Sequence, residues 1–337
     1  MFRRLLAAVL ILVVAAALLV LAWPQLFGLQ QTVGPAQLVS LRGSAIAAAV
    51  ILMIALGLLA LLSRAFRRLG SSLALLLLAF ALVSTAVLAT RGFGDTAFQT
   101  KADSDITVMS WNTLGDAPGA QAIAELALSS DADIVTLPET SNQTAVAVAG
   151  LMKDGGRPMW VHTIAFDHIS KARSTSVLTS TDLGAYSVDE KAGSTSTLPS
   201  VVLAPDDGSG PVIVAVHAVA PTPKELVNWR ADLRTIAGFC AGRDVIMAGD
   251  FNSTLDHFAG LGDGRSSTLG NCADAALQTK NAAVGTWPSS LPALLGAPID
   301  HVMTTPDWRV TGMRVVQNLD GDGSDHRPIV VQLQPKG

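Results

Sequence analysis

Eight polar residues stand at the borders of apolar runs in the last two-thirds of the chain. Asn112, Glu139, His217, Asp250 and Asn252 fall at the C-terminal ends of "DITVMSWN", "DADIVTLPE", "PVIVAVH" and "DVIMAGDFN". Asp300, Asp325 and His326 fall at the starts of "PIDHVMTT" and "SDHRPIVVQL". Together they amount to four carboxylates, two amides and two imidazoles. Hard oxygen donors without cysteine suit Mg²⁺, Mn²⁺ or Ca²⁺ rather than structural zinc. Clustered carboxylates alone would repel a phosphoester, so a cation has to be bound before such a substrate can approach. A metal then neutralises phosphoryl charge and helps activate water. Neighbouring amides and imidazoles can hydrogen-bond the non-bridging oxygens, and a carboxylate aimed at water supplies the base. The inventory is that of metal-dependent phosphoester hydrolysis.

The elements that must position these residues follow from the same runs. Their lengths and β-branched content suit buried strands. "GAQAIAELALSS" lies between the first two, and its Ile123, Leu126 and Ala127 spacing predicts a helix packed on the sheet. "PKELVNWRADLRTIAGFC" at 223–240 predicts another, beginning with proline and an acid as helices often do. Strands alternating with helices indicate an α/β fold. If the last strands run antiparallel to the first ones, all eight polar residues arrive at one rim.

Other polar residues read as structural. Alternation on a strand turns His301 away from Asp300. His162, His168 and His257 fit the surface or a satisfied interior, and Trp111 fits the core. Trp287, in "GTWP", is a candidate cleft wall. Asp256 and Asp263 lie in a glycine-rich loop and are expected to be solvated. The acids at 206–207 and 320–322 fit turns.

Composition separates this outer segment from what precedes it. The 337 residues are 50% hydrophobic and only 15% charged, with mean hydropathy +0.43; soluble domains carry roughly 25% charged residues. Residues 1–100 hold seven arginines and one acid, Asp95, for a net +6, whereas 101–337 hold 16 basic and 26 acidic residues, for a net −10. Leu5 to Ala22, Ser44 to Leu62 and Ser71 to Thr90 are apolar or nearly so. Each is close to the roughly 20 residues that cross a bilayer as a helix, and none shows a polar face. Arg3 and Arg4 precede the first span, Arg64, Arg67 and Arg68 crowd the loop after the second, and the 23–43 loop has only Arg42. The positive-inside bias places the N-terminus in the cytoplasm and residues 91–337 outside it, at the cell membrane. The alternative reading of 1–22, a cleaved signal peptide, is opposed by its length and by the two further spans. No intramembrane acid, lysine or histidine suggests transport, so the spans read as an anchor over 1–90, followed by a polar linker at 91–104 and a catalytic domain at 105–337.

Cys240 and Cys272 both lie in the outer segment. A thiol pair outside the cytosol often becomes a disulfide, and the even count fits; two buried free thiols are the alternative.

"SWNTLG", "DIVTLPE", "VH", "GDFNSTLD", "PIDHV" and "SDHRPI" occur in the order that characterises the endonuclease/exonuclease/phosphatase superfamily, and residues 105–333 resemble its deoxyribonuclease-I-like fold. The resemblance implies a four-layer α/β sandwich, two mixed β-sheets flanked by helices, here preceded by three transmembrane helices. It assigns Glu139 as principal metal ligand, with Asn112 beside it on metal or phosphate and Asp325 completing the metal side. Asp250 would orient or deprotonate water, and Asn252 would bind phosphate. His326 would stabilise transition-state charge while Asp300 holds its ring. His217 would bind phosphate or protonate the leaving group. Mg²⁺ or Mn²⁺ is the implied cofactor. Two departures stand out: Pro138 replaces the usual glutamine before Glu139, and "STSVLTS" at 174–180 lacks the arginine common in that strand.

A phosphoester is the expected substrate. Nucleic-acid binders gain affinity by neutralising phosphates with lysine and arginine, so the net −10 disfavours nucleic acid relative to a lipid head group or envelope phosphodiester. A non-catalytic binding or scaffolding protein keeping this fold is the alternative class. No obligate protein partner is evident.

Overall fold

A computed structural model describes residues 2–62, 66–94, 97–167, 169–242, 244–262 and 268–336. Arg64, Asp95, His168 and Asp263 lie outside the described residues. Among the described residues, three helices are long and apolar enough to cross a bilayer: α1 (Phe2–Ala22), α3 (Arg42–Leu62) and α4 (Arg67–Arg91). They run slightly past the apolar stretches at their polar ends, because a helix continues wherever its backbone ladder does. A short helix, α2 (Pro35–Ser40), interrupts the loop between α1 and α3, starting on a proline whose missing N–H is not needed there.

The rest of the chain forms two mixed sheets. In chain order the elements are β1 (Ile106–Ser110), α5 (Gly119–Ser129), β2 (Ile134–Pro138), α6 (Asn142–Asp154), β3 (Met159–Ala165), β4 (Ser174–Ser180), β5 (Tyr186–Val188), β6 (Val201–Pro205) and β7 (Val212–His217). They continue with α7 (Leu226–Phe239), β8 (Val245–Asp250), β9 (Thr268–Leu269), β10 (Cys272–Asp274), α8 (Ala275–Gln278), β11 (Asp300–Thr304), β12 (Trp308–Val315) and β13 (Ile329–Pro335). The strand orders are β12-β13-β1-β2-β4-β3 and β5-β6-β7-β8-β11-β10-β9. Each sheet contains one parallel pair joined by a helical crossover, β1-α5-β2 and β7-α7-β8. The expected helix at 223–240 begins only at Leu226, because Thr222 first accepts the Glu225 N–H and closes a turn.

Period-two alternation explains why two sheets stack. Ile106 and Val108 of β1, Ile134 of β2, Val177 of β4 and Val331 of β13 face the second sheet, where they meet Val214, Met247 and Val302. Their neighbours Met109, Val135, Leu178 and Val330 face the other way and pack with Ile123 of α5 and Val148 of α6. Both faces are thus buried, which is why these strands read as continuous apolar runs rather than as alternating ones. A one-residue slip would turn each set away from its partners, so the register is strongly specified. Helix α7 covers the far side of the second sheet with Trp229, Leu233 and Ile236, and ends at Cys240. Cys240 is bonded to Cys272 of β10, with Cα atoms 5.8 Å apart.

One expectation is overturned. Asp256 is not solvated: its side chain is 4% exposed and forms ion pairs with Arg42 at 3.0 Å and Arg91 at 2.8 Å. Gln25 Nε2 donates to the same carboxylate at 2.8 Å. The two arginines at the ends of α3 and α4 therefore bind the sheet-containing part of the chain, beyond whatever they record of topology. A loop composition rich in glycine does not reveal partners that lie on distant helices.

Candidate active site

The eight polar residues do converge, across the matching ends of both sheets. Asn112 and Glu139 follow the C-terminal ends of the parallel pair β1 and β2, and His217 and Asp250 close the parallel pair β7 and β8. Open α/β sheets bind ligands outside the carboxyl ends of parallel strands. Strand β11 runs antiparallel to β8, with Asp300 opposite Asp250. His217 is opposite Asp250 on the other side. Asp325 and His326 precede β13, which is antiparallel to β1. The conditional topology read from the sequence is the observed one.

Backbone geometry sharpens the placement. Gly249 has φ +150, and a Cβ there would lie 2.0 Å from the Val216 carbonyl oxygen, so only glycine lets β7 and β8 approach before His217 and Asp250. Glu139 and Asn252 occupy the left-handed region, with φ +57 and +46. Such conformations cost on the order of 1–3 kcal/mol at a non-glycine residue and persist where surrounding structure dictates them.

The side chains form one hydrogen-bonded cluster. Asn112 Nδ2 donates to Glu139 Oε1 and to Asp250 Oδ2, both at 3.1 Å. Asn112 Oδ1 accepts the Leu114 N–H at 3.0 Å, and Ser324 Oγ fixes the Asn112 carbonyl at 2.6 Å. Asp250 Oδ1 accepts the Asn252 N–H at 2.8 Å, and Asn252 Nδ2 bridges Asp250 Oδ2 at 3.1 Å and the Ala218 carbonyl at 2.9 Å. His326 Nδ1 pairs with Asp300 Oδ2 at 2.9 Å, and its Nε2 lies 3.8 Å from Asp250 Oδ2. His217 Nε2 lies 3.8 Å from Glu139 Oε1, with Thr175 Oγ1 at 3.4 Å from Nδ1. Trp287 joins the cluster at its edge, donating Nε1–H to Asp325 Oδ2 at 2.8 Å.

Electrostatics follow from burial and crowding. Burial pushes the Asp250 carboxyl up to about 7; the His326 charge opposes this and Asp300 adds to it. Burial disfavours the His326 imidazolium, but Asp300 and Asp250 outweigh it and raise its pKa to about 10. His217 is driven down to about 3 by burial, with the His326 charge adding to the effect. Burial also raises Glu139, against the Asn112 hydrogen bond, and the charges of Asp325 and Asp300 raise it further. A bound divalent cation would reverse this penalty by favouring the ionised carboxylates.

The donor set fits a hard cation. Glu139 is crowded by like charges, and buried Asp300 Oδ1 and Asp325 Oδ1 have no hydrogen-bond partner among the described residues. Ligand atoms of Asp250, Asp300 and His326 also lie within 4.8 Å of one another. In that trio, however, the imidazole already bridges two carboxylates, so its geometry is equally that of a held ring.

Two contributors escaped the sequence reading. Thr175, on "STSVLTS", abuts His217. Arg327 is buried and ties Asp320 (two contacts at 2.7 Å) to the carbonyls of Gly285, Ser289 and Leu291, which fixes the loop carrying Trp287. "SDHRP" contains that arginine, but nothing local tells which carbonyls it will reach. His301 is structural as expected, held by Asp274 at 2.7 Å and the Ser253 carbonyl at 2.8 Å.

Comparison with solved structures places the fold. An endonuclease/exonuclease/phosphatase from Beutenbergia cavernae aligns with TM-score 0.53 and 21% identity over 69% of this chain and 72% of that one. The AP endonuclease LMAP from Leishmania major aligns with TM-score 0.53 and 14% identity, covering 75% and 95%. Humanized D. rerio TDP2 aligns with TM-score 0.51 and 16% identity, covering 69% and 100%. At these identities the likeness is one of fold: two mixed sheets flanked by helices. A comparison with curated proteins found no match. Residues 109–326, which contain the whole cluster, match the Endonuclease/Exonuclease/phosphatase family, and the chain belongs to that family.

Proposed function

We propose that the protein is a membrane-anchored phosphodiester hydrolase that works outside the cytoplasm with Mg²⁺ or Mn²⁺. The observation that carries this reading is the convergence of Asn112, Glu139, His217, Asp250, Asn252, Asp300, Asp325 and His326 on one rim. In this reading 1–90 is the anchor, 91–104 a connector and 105–337 the catalytic domain, with the N-terminus cytoplasmic by the arginine bias.

Glu139 and Asp325, with Asn112 beside them, would hold the ion, which when bound neutralises phosphoryl charge and polarises the attacking water. Asp250, poised near neutrality by burial, takes the proton of the attacking water. Asn112 and Asn252 hold that carboxylate from two sides, so its orientation costs nothing at the moment of reaction. His326, kept cationic by Asp300 and Asp250, donates Nε2–H to the phosphate and stabilises its transition-state charge. His217 is kept neutral by its surroundings and therefore serves as a hydrogen-bond donor to phosphate rather than as a proton source.

The test is hydrolysis of an activated aryl phosphodiester by the full-length protein in detergent with Mn²⁺. Turnover is expected, with a fall on the order of 10²–10⁴-fold in Asp250→Asn. An Asp250→Asn protein with undiminished turnover contradicts the assignment.

A further inference from the structure

The loops that leave the catalytic strand ends of the second sheet are also the loops that rest on the N-terminal helices. Beyond β7, the Pro221 carbonyl accepts a hydrogen bond from Gln37 of α2. Beyond β8, Asp256 binds Arg42, Arg91 and Gln25. The His257 carbonyl takes Gln31 Nε2 at 2.8 Å, and the Ala259 carbonyl takes Gln30 Nε2 at 3.1 Å. Ahead of β11, the Leu295 carbonyl takes Ser44 Oγ at 2.8 Å. At Gly43 the Leu294 carbonyl comes so close that a Cβ would sit 1.9 Å from it. Strands β7, β8 and β11 thus supply His217, Asp250 and Asp300 and, a short way beyond, the contacts with the α1–α2 connection, α2, α3 and α4. The catalytic end is the end held against the outer tips of the helices.

Exposed apolar side chains collect at that same end. Between 106 and 336, seven large apolar residues are exposed among the described ones, and five of them (Leu114, Phe166, Ile169, Val227 and Leu294) sit on connections or first turns at the catalytic end. Ile169 is 95% exposed, Leu114 45% and Phe166 38%. Leu114 lies two residues from Asn112, and Phe166 and Ile169 lie on the β3–β4 connection, which leads into Thr175 beside His217. Among the described residues, nothing covers Ile169. Apolar surface rimmed by polar groups marks an interaction site, and side chains held at a bilayer's edge insert their apolar parts into the interface.

We infer that the cleft opens onto the surface of the bilayer that holds the protein, and that its substrate is a phosphodiester carried by a lipid in that bilayer, with Leu114, Phe166 and Ile169 seated in the interfacial layer beside it. This rests on the hydrolase and anchor readings above and adds the substrate class. Water adds its oxygen to phosphorus and one P–O ester bond breaks. One proton of the water ends on the departing alcohol oxygen and the other on the new phosphate monoester, with no oxidant or co-reactant needed. A duplex nucleic acid would instead have to enter between the net-negative domain and the membrane surface.

The test uses the full-length protein reconstituted with Mn²⁺ into vesicles of phosphatidylcholine, phosphatidylethanolamine and phosphatidylglycerol. Isotopically labelled lipid is placed either in the same vesicles or in protein-free vesicles mixed with them. A water-soluble aryl phosphodiester and a plasmid are assayed in parallel. Cleavage of labelled lipid is expected on the order of tenfold faster in the shared vesicle. A Phe166→Asp/Ile169→Asp protein should lose lipid cleavage by a similar factor while keeping turnover of the soluble diester, which also reports that it is folded. Turnover of the soluble diester or plasmid without lipid cleavage overturns the inference and leaves the hydrolase reading standing. Equal cleavage in shared and separate vesicles, or a double variant with undiminished lipid cleavage, overturns it as well. Failure of every substrate overturns both.

Discussion

His326 is held by Asp300 through a 2.9 Å contact at Nδ1, and this pairing decides that Nε2 is the nitrogen presented toward Asp250 and the cleft. The carboxylate orients the ring and keeps it cationic against a strong burial penalty. Replacing Asp300 with asparagine keeps the shape but removes the charge. We expect Asp300→Asn to lose turnover of a soluble phosphodiester by on the order of 10²–10³-fold. His326→Gln should lose a similar factor, and the double variant little more than either single one, because the two act as a unit. Steady-state rates of the three proteins check this; multiplicative losses would show that the residues act independently.

Asp256 makes a second prediction, on stability rather than chemistry. Removing it in Asp256→Ala leaves Arg42 and Arg91 facing each other without a counter-ion. Breaking a buried pair by deleting one partner costs about 3–5 kcal/mol. Thermal unfolding in detergent should begin several degrees lower, with earlier proteolytic cleavage in the 23–41 segment. An unchanged transition would mean that the ion pairs contribute nothing to holding the helices against the sheets.

The contrast between these two sites shows what is legible in the sequence. Asp250 and Asp300 could be found because each caps an apolar run, and strand ends are where parallel sheets expose polar groups. The stacking of two sheets was reachable only through the family resemblance, since an inter-sheet position and a helix-facing position are equally apolar in β1 and β2. Strands β3, β5, β6 and β12 carry no clear apolar run, because they lie at or near sheet edges, where burial is partial and the pattern weaker. Asp256 is illegible for a different reason: its arginine partners are 165 and 214 residues away, and only the docked geometry pairs them. Arg327 likewise signals its importance only once its four loop partners are in place.

His257 gives a prediction for acid sensitivity. Burial holds its imidazole down at about 4, against 6.5 for a free ring, with the Asp256 charge opposing. The unfolded chain therefore takes up this proton first as pH falls. The stability contributed by the neutral ring is full above pH 6.5 and declines between pH 6.5 and about 4. His301 has the opposite sign, because Asp274 raises its pKa against burial. The contribution is isolated by comparing melting temperature against pH for the native protein and His257→Gln. The native curve should fall more steeply over that interval; parallel curves would contradict the assignment.

The Cys240–Cys272 bond closes a segment of 32 residues between the end of α7 and β10. Loop-closure entropy for that length corresponds to about 3–4 kcal/mol. A Cys240→Ser/Cys272→Ser protein should denature at measurably lower guanidinium concentration while retaining turnover at low denaturant, because neither cysteine reaches the cleft. Loss of activity without loss of stability would give the bond a role beyond cross-linking.

The proposed phosphodiester hydrolysis depends on a divalent cation held by Glu139 and its neighbours. Its most direct test is the rate of soluble phosphodiester hydrolysis by chelator-stripped, full-length protein as Mn²⁺ is added back, with Glu139→Gln alongside. No turnover is expected after stripping, with saturable recovery as Mn²⁺ is added and a half-saturating concentration raised by on the order of 100-fold in Glu139→Gln. Full turnover in the presence of chelator, or identical Mn²⁺ dependence in the two proteins, would contradict it.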